Sequence, residues 1–195
     1  MDDWKNIVKS LNTHDWHPEI ARTAVLFIDC QEYFHDLISP ILKNIVRVIE
    51  AARKADVPLL FTQHGHPTKQ DPGLLGEWWA DVIIEGSESS GLLPELRVQP
   101  KDVVIKKDRY NAFYKTDLEE TLRGKDIKDL IIGGVMTNLC CETTARDAFV
   151  RDFRVFFLAD GTSTASADYH LATLKNLSYG FATLMTCDQA ISFLS

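Results

Sequence analysis

Six short apolar runs divide the chain: Thr23–Asp29, Val57–Thr62, Lys101–Lys107, Ile127–Gly133, Phe153–Asp160 and Phe181–Met185. They are rich in Val, Ile, Leu and Phe, and several lack the polar alternation of a half-exposed strand. Such runs mark strands buried on both faces. Between them lie patterns of helical period. From about Ile38 to Ala55, the residues Ile41, Leu42, Ile45, Val48, Ile49 and Ala52 fall on one side. Further helices are predicted to begin at Leu118 and to span Asp168–Tyr179 and Asp188–Leu194, with a short amphipathic helix at Asp2–Asn12 carrying Trp4, Ile7, Val8 and Leu11 on one face. Strands alternating with helices predict an α/β fold: one domain over residues 1–195, a three-layer α/β/α sandwich around a six-stranded, mostly parallel sheet. The connection Gln63–Lys101 breaks this rhythm. It holds four of the seven prolines together with Trp78 and Trp79, and loops of that length are usually functional or carry minor structure.

The formal net charge of −7 argues against a nucleic-acid-binding face, which needs a basic patch. No apolar stretch approaches the roughly 18 residues of a membrane span, and the opening Met1-Asp-Asp-Trp-Lys is too polar for a secretory signal. The cysteines Cys30, Cys140, Cys141 and Cys187 lack the spacing of a disulfide framework or a zinc site. A cytoplasmic protein with reduced thiols, bound neither to nucleic acid nor to membrane, is the expectation.

The segment Leu130–Phe149 concentrates the chemistry. An apolar strand meets Gly133 and Gly134, Thr137 or Asn138 offers a helix N-cap, and Leu139, Ala145, Ala148 and Phe149 then recur at helical spacing. Cys140 would lie in the first turn, where unpaired N–H groups favour a thiolate and lower its pKa. The alternative is that Cys140 and Cys141 are small buried hydrophobes. Asp29 closes the first strand and Lys107 the third, and open α/β sheets bind ligands outside the carboxyl ends of their strands. Asp29 could instead cap the following helix, and Lys107 could be a solvated charge. Taken together, Asp29, Lys107 and Cys140 make chemical sense as base, cation and nucleophile.

Three segments, in this order, resemble the isochorismatase-like cysteine hydrolases, the superfamily of nicotinamidases, N-carbamoylsarcosine amidohydrolases and ureidoacrylate-type amidohydrolases. They are Leu26-Phe-Ile-Asp-Cys-Gln-Glu-Tyr-Phe34, Val104-Ile-Lys-Lys-Asp-Arg-Tyr-Asn-Ala-Phe113 with Thr116-Asp-Leu118 behind it, and Gly133-Gly-Val-Met-Thr-Asn-Leu-Cys-Cys-Glu-Thr-Thr-Ala-Arg-Asp-Ala148. The resemblance implies a six-stranded parallel sheet between helices and a catalytic triad of Asp29, Lys107 and Cys140. It further implies an oxyanion hole at the backbone N–H groups of Met136 and Cys140, shaped by a cis peptide between Val135 and Met136. Gln31 and Phe34 match positions near the pocket. His64, Tyr110, Phe113 and Trp78 or Trp79 are candidates to line it, with core packing the alternative for the aromatics. Relatives are usually dimers or tetramers, so a homo-oligomer is expected.

The resemblance also raises zinc. Nicotinamidases hold a metal with an Asp-x-His pair after the second strand and a further His. Here the segment is Thr62-Gln-His-Gly-His-Pro67, with His64 in place of the Asp and no further His before His170. Two histidines one residue apart can point the same way, but a zinc site needs at least three protein ligands. The expectation is no metal and no cofactor, and the departure counts against nicotinamidase. The resulting reading is a cysteine hydrolase cleaving a C–N bond of a small amide or ureido compound through a thioester. Its rivals are isochorismate-type vinyl-ether hydrolysis, which needs no thiol, and a non-catalytic thiol redox or interaction protein. Successive strand residues point to opposite faces, so one lysine alone of Lys106 and Lys107 can reach the site, and the family register selects Lys107. Likewise Cys140 and Cys141 diverge by about 100° on a helix; Cys141 shares the apolar stripe of Ala145 and Ala148, which predicts a buried thiol with a raised pKa.

Overall fold

In the computed structural model, which describes residues 4–68, 70 and 72–195, the apolar runs assemble into one sheet. Its strands are β1 (Thr23–Ile28), β2 (Leu59–His64), β3 (Val103–Lys107), β4 (Asp129–Val135), β5 (Arg154–Ser163) and β6 (Ala182–Met185). Their spatial order is β3-β2-β1-β4-β5-β6, and every neighbouring pair is parallel. The helices are α1 (Trp4–Leu11), α2 (His35–Lys54), α3 (Gly73–Trp79), α4 (Leu118–Gly124), α5 (Glu142–Val150), α6 (Ala167–Gly180) and α7 (Cys187–Phe193). The N-terminal helix is thus present from Trp4, whereas Asp2 and the Trp4 side chain lie outside the described residues.

The central strands bury both faces, as their composition requires. Val25, Phe27, Ile131 and Phe156 face α2 and α7, while Leu26, Ile28, Leu130, Ile132 and Phe157 face α1, α4, α5 and α6. On α2, Ile38, Ile41, Ile45, Val48, Ile49 and Ala52 are buried at helical spacing, and each large apolar side chain so buried contributes about 1.5–3 kcal/mol. Local signals set the later helix starts. Ser166 accepts the Asp168 N–H at the head of α6, and Thr186 with Gln189 forms a capping box on α7.

The topology fixes where a site can form. From β1 the chain moves to β2 on one side, and later returns to place β4 on the other. The strand order reverses between β1 and β4, and the crevice beyond their carboxyl ends is where such sheets bind ligands. At the β3 edge the faces alternate: Ile105 and Lys107 are buried, Val104 and Lys106 exposed. Three strands run further than the sequence suggests, β5 among them, which extends past Asp160 to Ser163. β2 continues to His64, and β4 passes through both glycines to Val135. Gly134 permits this because its φ is 111° and an added Cβ would lie 2.1 Å from the Ile28 carbonyl oxygen. No L side chain fits there, so the ends of β1 and β4 stay in close contact. Among the described residues, no helix is long and apolar enough to cross a membrane.

Candidate active site

Asp29 follows β1 with φ 49°, a left-handed conformation that Asp tolerates better than most residues. Its N–H donates to Thr62 Oγ1 at 3.0 Å, and the Thr62 hydroxyl donates to Asp29 Oδ1 at 2.5 Å. Thr62 lies on the adjacent β2, so neighbouring strands hold the carboxylate. Lys107 ends the edge strand β3 and reaches over β2. Its Nζ lies 2.6 Å from Asp29 Oδ2, 3.0 Å from the Arg109 carbonyl oxygen and 3.5 Å from Cys140 Sγ. Three ammonium donors meet three acceptors. The Asp29 and Lys107 side chains are wholly buried, whereas Lys106 is exposed with its ammonium 3.8 Å from Glu85. Asp29, Lys107 and Cys140, separated by up to 111 positions in sequence, therefore meet in one cluster, and the lysine that meets them is Lys107.

Cys140 lies in a wide, π-type turn, Thr137–Cys141, that leads from β4 into α5. The peptide between Val135 and Met136 just before it is cis, as the resemblance implies. The N–H groups of Leu139 and Cys141 both donate to the Met136 carbonyl, at 3.1 and 3.2 Å. Two expectations fail here. Neither Thr137 nor Asn138 caps the helix; Met136 stands at that position, and no side chain caps the turn. The Cys140 thiol is not depressed either: burial pushes it up to about 12, with Asp29 adding to the rise and Lys107 opposing it. A site deep enough to strip water from sulfur disfavours the thiolate more than one lysine favours it. Cys140 therefore rests as a thiol whose proton must pass to a base. For Lys107 burial works downward, but Asp29 and Cys140 outweigh it and hold the ammonium above its ordinary value. Cys141 is raised by burial, as expected.

Cys140 opens on a pocket of about 280 Å³. Of the expected lining residues, Phe34, His64 and Tyr110 are there. Gln31, Trp78 and Phe113 are not. The Gln31 amide is spent on backbone: Nε2 donates to the carbonyls of His64 and Ser90, and Oε1 accepts the His64 N–H, each at 2.8 Å. It fastens β2 to the long connection, and both of its N–H donors are spent on backbone. Trp78 is 80% exposed on α3, and its neighbour Trp79 takes the lining position instead. The indole N–H of Trp79 donates to the Tyr110 hydroxyl at 2.6 Å. Phe113 is core, stacked on Phe153 with ring centroids 5.9 Å apart.

Sequence reasoning missed Tyr33, Leu37, Leu75, Asp81, Val82, Ile83 and Leu139, which complete the wall. Tyr33 donates to Asp81 at 2.8 Å, which raises the phenol's pKa. Tyr33 adjoins the recognised Phe34, which was a usable signal. Asp81–Ile83 lie in the long connection, where no periodicity marks them. His64 is neutral, its pKa lowered to about 4 by burial first and by Lys107 second. His66 stands edge-on to it, ring centroids 5.2 Å apart. No group of three or more His, Cys, Asp or Glu among the described residues could hold a metal ion. Among the described residues, His64 and His66 are not joined by the third ligand that a zinc of the nicotinamidase kind needs.

Comparison with known proteins agrees with this geometry. The isochorismatase domain model matches residues 23–189. The chain is 44% identical to Nicotinamidase 3 of Arabidopsis thaliana over 93% of both chains, which runs against the expectation set by the histidine pattern. It is 32% identical to enterobactin synthase component B of Escherichia coli over 84% of this chain, spanning 60% of that protein's length. A cysteine hydrolase from Pseudomonas syringae superposes with a TM-score of 0.88 at 26% identity, covering 92% of this chain and 95% of the other. With the fold, the cluster at the β1/β4 crevice and these matches in agreement, the chain belongs to the isochorismatase family of hydrolases.

Proposed function

We propose that the protein hydrolyses the primary amide of a small uncharged ring compound, with nicotinamide the first candidate, through a thioester on Cys140. The observation that carries this reading is the pocket. It is small for a ligand site and largely apolar, and no Lys or Arg is among the described residues that line it. Among those residues Asp81 is the acid, and His64 is neutral. A substrate bearing carboxylates, such as isochorismate or an acidic ureido compound, would be desolvated there without a cationic partner. A neutral amide meets no such penalty, and the 44% identity with a nicotinamidase supports the same choice.

Asp29 takes the Cys140 thiol proton as sulfur attacks the amide carbon. The oxyanion is received by the backbone N–H groups of Met136 and Cys140. Collapse of the tetrahedral intermediate breaks the C–N bond, and the nitrogen leaves as ammonia with the proton returned from Asp29. Asp29 then deprotonates a water that cleaves the thioester, releasing the carboxylic acid and restoring the thiol. Lys107 remains cationic throughout, orienting Asp29 and offsetting negative charge on sulfur. The raised Cys140 pKa suits this scheme, because it keeps the thiol protonated until a substrate is present to be attacked. The test is ammonia release from nicotinamide and benzamide, set beside turnover of ureidoacrylate, an N-carbamoyl amino acid and isochorismate. Turnover confined to the acidic compounds would reject the reading.

A further inference from the structure

Thr137 and Asn138, which cap nothing, are instead tied to elements that follow in sequence. Thr137 Oγ1 lies 2.9 Å from His170 Nδ1, and His170 Nε2 lies 3.0 Å from the Ala159 carbonyl oxygen. A carbonyl only accepts, so Nε2 carries the ring proton, and in the neutral ring Nδ1 accepts the Thr137 hydroxyl. Asn138 Oδ1 accepts from the Thr164 hydroxyl at 2.6 Å, and just past the turn Glu142 Oε2 accepts from Thr173, also at 2.6 Å. The turn carrying Cys140 is thus fastened at its start to α6 and to Thr164, the residue after β5, and His170 ties α6 on to β5. Thr137 is fully buried, so its hydroxyl has no water to replace His170, and losing that acceptor costs the full desolvation of the group. A π-type turn is a rare backbone form, frequent at functional sites, and it persists where surrounding contacts over-determine it.

We infer that His170 is a positioning residue: acting through Thr137, it holds the turn Thr137–Cys141 and with it the mutual placement of the Met136 and Cys140 amides. The inference rests on the proposed roles of Cys140 as nucleophile and of those amides as its oxyanion hole. Near 1 Å of misplacement in such a site costs on the order of a hundredfold in rate, and loss of one oxyanion donor costs on the order of 10²–10³.

Two substitutions separate the bond to Thr137 from the bond to Ala159. His170→Asn sets an amide oxygen close to the place of Nδ1 and keeps an acceptor for Thr137. His170→Gln sets an amide nitrogen close to the place of Nε2 and keeps the bond to Ala159 while losing the one to Thr137. Thr137→Val, nearly isosteric, removes the same link from the other side. On nicotinamide, His170→Gln and Thr137→Val are expected to lose about 10- to 100-fold in kcat with KM within about twofold, and His170→Asn to stay within about threefold. Combining Thr137→Val with His170→Gln should cost no more than either alone, because both cut one link. Hydrogen exchange at the amides of residues 136–141 should quicken in the Gln and Val variants and not in the Asn variant. Equal kcat and equal exchange in the Gln and Asn variants would overturn the inference, as would full additivity of the double variant. If the unaltered protein hydrolyses no amide, the amidase reading fails by itself, and the exchange contrast still decides whether His170 holds the turn.

Discussion

Lys107 and Asp29 form an ion pair with no solvent access, and removing one partner has a calculable consequence. Lys107→Met leaves a carboxylate in the interior with the Thr62 hydroxyl and its own backbone as its company. Breaking a buried pair in this way costs about 3–5 kcal/mol, which in a chain of this length lowers the thermal midpoint by about 6–20 °C. Amide turnover should fall by about a thousandfold, since the cation facing the reacting sulfur is gone. The double variant Asp29→Asn, Lys107→Met removes both charges while Thr62 keeps an acceptor. It should recover most of the lost stability and none of the activity, because a neutral pair of similar volume carries no uncompensated charge. Lys106→Ala, at an exposed ion pair 3.8 Å long, should change stability by less than about 1 kcal/mol and leave turnover intact. Thermal unfolding and ammonia release measure each arm. A double variant as unstable as Lys107→Met would show that packing, not buried charge, sets the cost. An active Lys107→Met, or an inactive Lys106→Ala, would refute the assignment of the cation.

Cys140→Ala should abolish turnover, whereas Cys141→Val, filling a fully buried site with an apolar side chain, should stay active and lose less than about 1.5 kcal/mol; mass mapping after iodoacetamide should find Cys140 labelled before Cys141. His64 titrates near 4 when folded and near 6.5 when unfolded, so the unfolded chain binds the extra proton between those values. Its contribution to stability is therefore complete above pH 6.5 and declines toward pH 4, by roughly 3 kcal/mol at about 1.4 kcal/mol per pH unit. Unfolding followed across that range should show a shallower decline in His64→Asn, and identical slopes would contradict the assignment. Dialysis against a strong chelator should leave amide turnover unchanged, because no third His, Cys, Asp or Glu among the described residues joins His64 and His66; a loss that zinc restores would reverse that conclusion.

The elements of the fold were legible because their causes are local. A doubly buried strand must be apolar throughout and a helix on a sheet must repeat at its own period, so β1, β4, α2 and α6 could be located within a few residues. The acid, lysine and thiol were equally readable, since each closes or follows an apolar run and sits within a recognisable segment. The alternation of β3 separated Lys107 from Lys106 for the same reason.

The rest depends on which distant surfaces meet. Gln31 reads as a pocket residue until β2 and Ser90 engage its amide, and Phe113 until Phe153 stacks on it. Of Trp78 and Trp79 it is Trp79 that lines the pocket, because the start of a short helix inside a long connection decides which indole turns inward. Thr137 carries the chemistry of a cap, but the alternative partner that claims it is 33 residues away. The Cys140 pKa shows the limit most plainly. Position at a helix start is a sequence property and argues for a lowered value, whereas desolvation is a property of the packed interior and wins. Periodicity and residue type determined what this chain folds into and which groups could react. The three-dimensional packing alone decided which polar atoms have partners and how much water each reactive group keeps, because those quantities are sums over neighbours that the order of residues does not display.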